Sequence, residues 1–326
     1  MVTLFLLSIL KILMKIIFLI VIFMKIFVCD YDRRIITTLK HSKYYIKPLV
    51  VNGSPANEGE VPYLVSIKTP NAKMSNNIQM WNNLCGGSII GKSKVLTAAH
   101  CFEQNSFYFQ KYPYLLRAVA GNLRTDLMHS GETETTEQGQ WRTITKAVVH
   151  HYFNFPHNDI ALVFVNKPWD YTNKVDYILP ASITVDYLMS KCYSAGYGAT
   201  SQVATMDSSS AILLTAKIDP MPRVKCSYIW EMNMDDFVCT QSLFSDVARG
   251  DSGGPLTCSN TLDPKEELGR DVLVGVVSGK NFDLTTIFTR VSQYKEWIDT
   301  DSGSKLKFSY YLLAITLLIL IYLLFY

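Results

Sequence analysis

Three kinds of pattern are missing from this sequence, and each absence removes a class of function. There is no C-x-x-C pair and no H-E-x-x-H motif, so the usual ligand spacings of a zinc site are lacking. Residues 50–300 contain no basic run and carry a net charge of −4, because residues 1–49 hold +6 and residues 301–326 hold +1 of the overall +3. Since phosphate binding needs a basic face, nucleic acid is not an expected partner. We predict neither a metal nor a cofactor.

The N-terminal segment is strongly apolar. Residues 2–28 consist almost entirely of Leu, Ile, Phe, Val and Met, interrupted by Lys11, Lys15 and Lys25. A basic start followed by a short apolar core is typical of a secretory signal, so residues 1–29 are predicted to be a signal peptide. The alternative is an uncleaved signal anchor, because the cleavage site is poorly marked. The basic residues 30–49 are interpreted as a propeptide.

A second apolar run, residues 308–326, is uncharged. Small polar residues at 301–304 and then Lys305 and Lys307 precede it, an order that resembles a GPI-attachment signal. The alternative for residues 301–326 is a transmembrane segment. The two lysines would then place the preceding body in the cytosol, whereas the cysteines discussed below favour an oxidising compartment. The GPI interpretation is therefore preferred.

Residues 50–300 have the pattern of an all-β body. Short runs rich in Val, Ile and aromatic residues alternate with turn clusters, at residues 63–67, 88–90, 95–97, 115–120, 144–149, 160–165, 272–277 and 287–291. One segment predicts a C-terminal helix, because Val291, Tyr294, Trp297 and Ile298 fall on one face. Three glutamates within residues 132–137 could bind calcium, but few oxygen ligands accompany them, and a solvated loop is favoured.

Cysteine usage indicates an oxidising compartment. Cys29 lies at the signal boundary, which leaves six cysteines from Cys85 to Cys258. An even set of six suits three disulfides in a secreted protein.

Three short motifs carry candidate catalytic side chains. His100 follows a β-like run, Asp159 precedes an apolar strand, and Ser252 lies in the Gly-rich turn at residues 250–255. A serine hydroxyl needs a base to take its proton, and histidine suits this role because its pKa is near neutral. A carboxylate can hold that histidine in the required tautomer. Each residue alone has an ordinary structural explanation, whereas together they favour nucleophilic catalysis.

With these motifs and their cysteine context, residues 50–300 resemble the chymotrypsin/trypsin family of serine endopeptidases. The resemblance implies two six-stranded antiparallel β-barrels with a C-terminal helix. It implies that His100 is the general base, Asp159 its orienter and Ser252 the nucleophile, with backbone N–H groups of Gly250 and Ser252 forming the oxyanion hole. It also implies three disulfides: Cys85 with Cys101, Cys192 with Cys258, and Cys226 with Cys239.

The resemblance further implies activation by proteolysis. In this family a freed N-terminus pairs with the acid before the nucleophile, which here means Val50 with Asp251. Leu49 precedes Val50, and Lys47 is followed by Pro48, so trypsin-type cleavage is not expected. We predict cleavage of the Leu49–Val50 bond by a protease of another specificity.

The substrate pocket matches the family less closely. Asp246, six residues before Ser252, corresponds to the pocket floor and favours Arg or Lys at P1, the substrate residue before the cleaved bond. Ser278 and Gly279 correspond to the strand that pairs with substrate. Lys280 and Thr286, however, stand where small glycines usually line the pocket. The alternative is a small or apolar P1 residue, either because Lys280 neutralises Asp246 or because Thr286 narrows the mouth of the pocket.

The leading prediction is a secreted, membrane-tethered serine endopeptidase of the extracellular space, attached at the cell surface. Its expected partners are protein substrates, an activating protease and macromolecular inhibitors, and the chain is expected to be monomeric. The rival prediction is a catalytically silent protease homologue that acts as a binding or adaptor module. The presence of all three triad residues weighs against this rival.

Overall fold

The computed structural model describes residues 49–51, 53–73, 79–124, 128–129, 139–198, 210–241, 246–248, 251–281 and 285–300. The two apolar runs, the predicted propeptide up to Pro48, the glutamate-rich segment 132–137 and Gly250 lie outside these residues. In the first half of the chain the strands are β1 (Leu49–Val51), β2 (Ser54–Pro55), β3 (Leu64–Lys73), β4 (Gln79–Gly91), β5 (Lys94–Thr97), β6 (Arg117–Ala120), β7 (Met128–His129), β8 (Gln140–Val149) and β9 (Ala161–Val165).

In the second half the strands are β10 (Leu179–Pro180), β11 (Lys191–Gly196), β12 (Leu214–Ile218), β13 (Pro220–Met221), β14 (Phe237–Gln241), β15 (Asp246–Ala248), β16 (Pro255–Ser259), β17 (Val272–Asn281) and β18 (Thr285–Arg290). The α-helices are α1 (Gln104–Lys111), α2 (Arg223–Trp230) and α3 (Lys295–Asp299). Single 3-10 turns lie at His100–Phe102, Pro113–Leu115 and Val291–Tyr294.

The first half of the fold is a closed barrel. Strands β3, β6, β8, β9, β5 and β4 pair antiparallel in that order, and β4 pairs back to β3. Closure leaves no free edge along the ring. Alternate side chains point inward and form one apolar core, which includes Val65, Ile67, Ile89, Leu96 and Leu162, all fully buried.

The second half is an antiparallel sheet that curves around its own core. Its order is β13, β14, β18, β17, β16, β11, β12 and β2, and β10 adds to β17 in parallel. No backbone ladder joins the two ends of this sheet among the described strands, so it is a half-barrel rather than a closed ring. Its core contains Leu214, Val238, Leu256, Val277 and Phe288. The predicted two-barrel β-fold is therefore confirmed, with this difference in closure.

The C-terminal helical segment is also confirmed. The turn Val291–Tyr294 continues directly into α3, and Val291, Tyr294 and Ile298 are buried. These side chains join the core of the first barrel. The segment therefore packs the end of the predicted all-β body against the first half of the fold. Among the described residues, no helix is long and apolar enough to cross a membrane.

Candidate active site

The pairing of β5 with β9 brings His100 to Asp159. Thr97, at the end of β5, lies opposite Ala161 at the start of β9. His100 follows β5 by three residues and Asp159 precedes β9 by two, so the two loops meet at one end of the barrel. The Asp159 carboxylate accepts the backbone N–H of His100 at 2.8 Å and contacts His100 Nδ1 at 2.7 Å.

The second half of the fold holds Asp159 from the other side. The Ser278 hydroxyl, on β17, donates to Asp159 Oδ2 at 2.6 Å, and Thr289, on β18, donates to the Asp159 carbonyl oxygen at 2.8 Å. Asp159 is fully buried. A carboxylate held in this way favours the tautomer in which His100 Nδ1 carries the proton. The outer nitrogen, Nε2, is then a proton acceptor.

The environment of His100 raises its pKa. Burial alone would lower this pKa, but the charge and hydrogen bond of Asp159, helped by the charge of Glu103, raise it above the ordinary 6.5. The imidazolium is therefore stabilised where it would form during proton transfer. At a pH below the pKa that His100 has in the unfolded chain, protonated His100 contributes stability to the fold. This contribution is lost as the pH rises through the higher pKa of His100 in the folded protein.

The turn that carries Ser252 packs against the segments around His100. Gly86 N–H donates to the Ser252 carbonyl oxygen at 2.8 Å. Gly253 has a φ of +77°, and a Cβ there would lie 2.7 Å from the Gly86 carbonyl oxygen and would overlap Thr97. Only glycine allows this approach without strain. The Ser252 side chain is consequently placed, half-exposed, at the end of the barrel where His100 lies.

The described hydrogen bonds do not include one between the Ser252 hydroxyl and His100. Such a bond is often long without substrate and tightens only when substrate is present. The Ser252 backbone N–H likewise donates to no acceptor among the described residues. Gly250, the other predicted donor, lies outside the described residues.

Three disulfides brace these loops, with the same pairs that the family resemblance implies. Cys85–Cys101 links β4 to the turn of His100, and Cys192–Cys258 links β11 to β16, which follows Ser252. Cys226–Cys239 ties α2 to β14. Cys85 and Cys101 also lie within reach of His100 in a group that resembles a metal site. Because both sulfurs are disulfide-bonded, the group offers no thiolate ligand.

The Asp251 carboxylate contacts the loop after β11. It is fully buried, and its Oδ1 accepts the Gly198 N–H at 2.8 Å. Gly196 lies so close to this carboxylate that any Cβ there would overlap it. Strand β1, which contains Val50, pairs with β15 with Val50 opposite Val247. Val50 thus runs beside the segment that leads to Asp251.

Of the predicted pocket residues, Ser278, Gly279, Lys280 and Thr286 lie on the neighbouring strands β17 and β18, whereas Asp246 lies on β15 of a separate two-stranded sheet. Gly279 and Lys280 are on β17, opposite Ile287 and Thr286 of β18. Asp246 begins β15 and pairs with Val51 of β1. Both Lys280 and Thr286 are buried.

Several residues that build the site were not predicted to do so. Gly86 and Gly198 donate backbone hydrogen bonds at the Ser252 turn, Gly196 provides the space for Asp251, and Thr289 anchors the Asp159 backbone. The glycines follow Cys85 and Cys192 closely in the sequence. Glycine at these positions, which allows two backbones to approach closely, was the sequence signal that could have indicated them.

Comparison with known proteins agrees with this geometry. The sequence model of the trypsin family, described as Trypsin, matches residues 50–298. Two relatives from Drosophila melanogaster, named "Serine protease 1" and "Serine protease 2", are each 28% identical over 263 residues. Each alignment covers 79% of this chain and 87% of the relative.

Proposed function

Because the chain belongs to the trypsin family and is a serine-type endopeptidase, we propose that His100, Asp159 and Ser252 form its catalytic triad. The observation that carries this proposal is the buried Asp159 carboxylate, which accepts both the backbone and the ring N–H of His100. The turn of Ser252 packs against the same loops. A base with a fixed tautomer beside a half-exposed serine is what acyl transfer requires.

In the proposed reaction, His100 Nε2 takes the proton of Ser252 Oγ while that oxygen attacks the substrate carbonyl. The negative charge moves to the carbonyl oxygen, which the N–H groups of Ser252 and Gly250 bind. Asp159 stabilises the imidazolium. His100 then gives the proton to the leaving amine, which leaves an acyl-enzyme. Water, deprotonated by His100, attacks the ester and releases Ser252.

Substitution of the base tests this proposal. We expect His100→Ala to lower kcat/KM at least about 10²-fold, because general-base catalysis contributes about 10²–10⁴-fold. His151→Ala is the matched control, since His151 is exposed, and it should stay within about two-fold. The assay is cleavage of a quenched peptide library unbiased at P1 by chain processed at Val50. Equal rates for the two variants would contradict the triad.

We also propose that cleavage of the Leu49–Val50 bond activates the enzyme. The freed ammonium of Val50 would pair with the carboxylate of Asp251, which is fully buried. Support comes from the pairing of β1 with β15, which runs Val50 beside the chain leading to Asp251. The pair would hold the turn that carries both oxyanion donors.

N-terminal sequencing of the active form tests this activation site. The sequence should begin at Val50. Asp251→Asn removes the negative charge that would pair with the Val50 amine. This variant should stay inactive although cleavage at Val50 still occurs. An active form that begins elsewhere, or an active Asp251→Asn variant, would rule the pairing out.

Finally, we propose that the enzyme is secreted and is held at the cell surface through residues 301–326. Three disulfides support an oxidising compartment, and the small polar residues before the second apolar run support a GPI anchor. Phosphatidylinositol-specific phospholipase C should release the protein from intact cells. Retention after this treatment would favour a transmembrane segment instead.

A further inference from the structure

The side chain of Lys280 is buried, with only 3% of its surface exposed. Lysine is almost never buried in this way unless its ammonium is paired. On β17, Lys280 lies directly opposite Thr286 of β18, which is fully buried. Cross-strand partners in an antiparallel sheet place their side chains on the same face. The side chain of Lys280 therefore points to the same face of the sheet as the side chain of Thr286.

That face is the inner face of the second barrel. Side chains alternate along a strand, so Thr286 shares a face with Phe288, two residues on. Phe288 packs in the barrel core with Val277 and Val238. Thr240, which pairs with Thr286 across the adjacent strand, is also fully buried. Lys280 thus projects into the polar end of the barrel interior.

This end of the barrel adjoins the nucleophile. Gly253 N–H donates to the Val277 carbonyl oxygen at 2.9 Å, and Val277 N–H donates to the Gly254 carbonyl oxygen at 2.9 Å. The turn of Ser252 is therefore fastened to β17 three residues before Lys280. At about 3.3 Å per residue, Lys280 lies roughly 10 Å along the strand from that junction. A P1 side chain entering beside Ser252 would meet it.

We propose that Lys280 fills the P1 pocket, so that the enzyme cleaves after small uncharged residues such as Ala, Ser or Val. This inference rests on the proposed triad. The lysine chain takes up the space that a long P1 side chain needs, and its ammonium repels a cationic one. A buried ammonium requires an anionic partner, and Asp246 is the acid that the sequence predicts for this pocket. Pairing of Asp246 with Lys280 is part of this proposal, and it would keep that carboxylate from attracting a substrate Arg or Lys.

The test is P1 profiling of full chain processed at Val50, with peptides that differ only at P1. We expect kcat/KM for Arg and Lys to be at least about 100-fold below that for Ala, because like charges brought together are strongly unfavourable. Lys280→Gly should reverse this order and gain cleavage after Arg and Lys. Adding Asp246→Ser should remove the gain. Lys217→Gly is the matched control, since Lys217 lies on β12 of the same barrel with 64% of its side chain exposed, and it should keep the wild-type profile.

Labelling of Ser252 by a fluorophosphonate separates the possible failures, because this reagent does not depend on P1. Processed wild-type chain that labels but prefers Arg or Lys would overturn the role of Lys280 and leave the triad standing. A preference for Asp or Glu would overturn it too, because the ammonium would then serve the substrate. A processed chain that does not label would overturn the triad itself. If Lys280→Gly yields no labelled protein, Lys280→Ala should show the same gain, and an unchanged profile there would refute the proposal.

Discussion

The hydrogen bond from Ser278 to Asp159 allows a quantitative prediction. Asp159 is fully buried, and Ser278 is only 5% exposed. The Ser278 hydroxyl donates to Asp159 Oδ2 at 2.6 Å. Ser278→Ala leaves that oxygen with only the ring N–H of His100. A hydrogen bond to a charged group contributes about 1.5–3 kcal/mol. We therefore expect the free energy of unfolding at neutral pH to fall by about that amount, which is roughly a 10- to 150-fold change in the folding equilibrium.

Chemical denaturation in a Ser252→Ala background, which prevents self-digestion, measures this difference. Ser292→Ala is the matched control, because its hydroxyl bonds Thr184 at 3.0 Å at the surface. The control should lose less than about 0.5 kcal/mol. Similar losses for the two variants would refute the claim that Ser278 compensates a buried carboxylate.

Two further predictions concern Asp251 and His100. Gly196→Ala should prevent activation, because its Cβ would overlap the Asp251 carboxylate. Gly91→Ala, whose Cβ would lie 3.8 Å from its nearest neighbour, should activate normally. Peptidase activity after cleavage at Val50 measures both variants, and an active Gly196→Ala enzyme would show that Asp251 does not need the space beside Gly196. The pKa of His100, followed by NMR in inactive protein, should lie above 6.5. In Asp159→Asn this pKa should fall below 6.5, because burial, which lowers it, then remains as the main influence. The acid limb of kcat/KM should shift in the same direction, and an unchanged pKa would show that Asp159 does not control the base.

The strands that the sequence predicted are those with dense β-branched residues. Residues 144–149, 161–165 and 272–277 lie in β8, β9 and β17, and Ile160 directly precedes β9. Val and Ile fit the pleated surface of a strand. By contrast, β11 reads KCYSAG and β16 reads PLTCS. Their small and polar residues gave no periodic signal. They are strands because a disulfide and the neighbouring ladders hold them, which are contacts distant in sequence.

Two helices were missed for a related reason. Helix α1 contains Phe107, Tyr108 and Phe109, aromatic residues that favour strands, and neither α1 nor α2 begins with a side-chain cap hydrogen bond. The run predicted at 115–120 is a strand only from Arg117, because the turn Pro113–Leu115 precedes it. Local propensity therefore gave no helix signal at α1 and α2, where tertiary packing decides.

At the site, His100 and Asp159, two residues that the sequence motifs singled out, lie in contact in the fold. The burial of Lys280 and the hydrogen bond from Gly198 to Asp251 could not be read from the sequence. Both depend on which strand or loop lies alongside, and that is set by the register of distant strands.

We propose that Ser252 becomes a nucleophile once Val50 is free, with His100 as its base. The most direct measurement is the rate at which a fluorophosphonate labels full chain processed at Val50, with the modified residue located by mass spectrometry. We predict labelling of Ser252 at least about 100-fold faster than in the unprocessed chain or in processed His100→Ala. Folded, processed wild-type chain that leaves Ser252 unlabelled, or that labels no faster than these two references, would contradict the account.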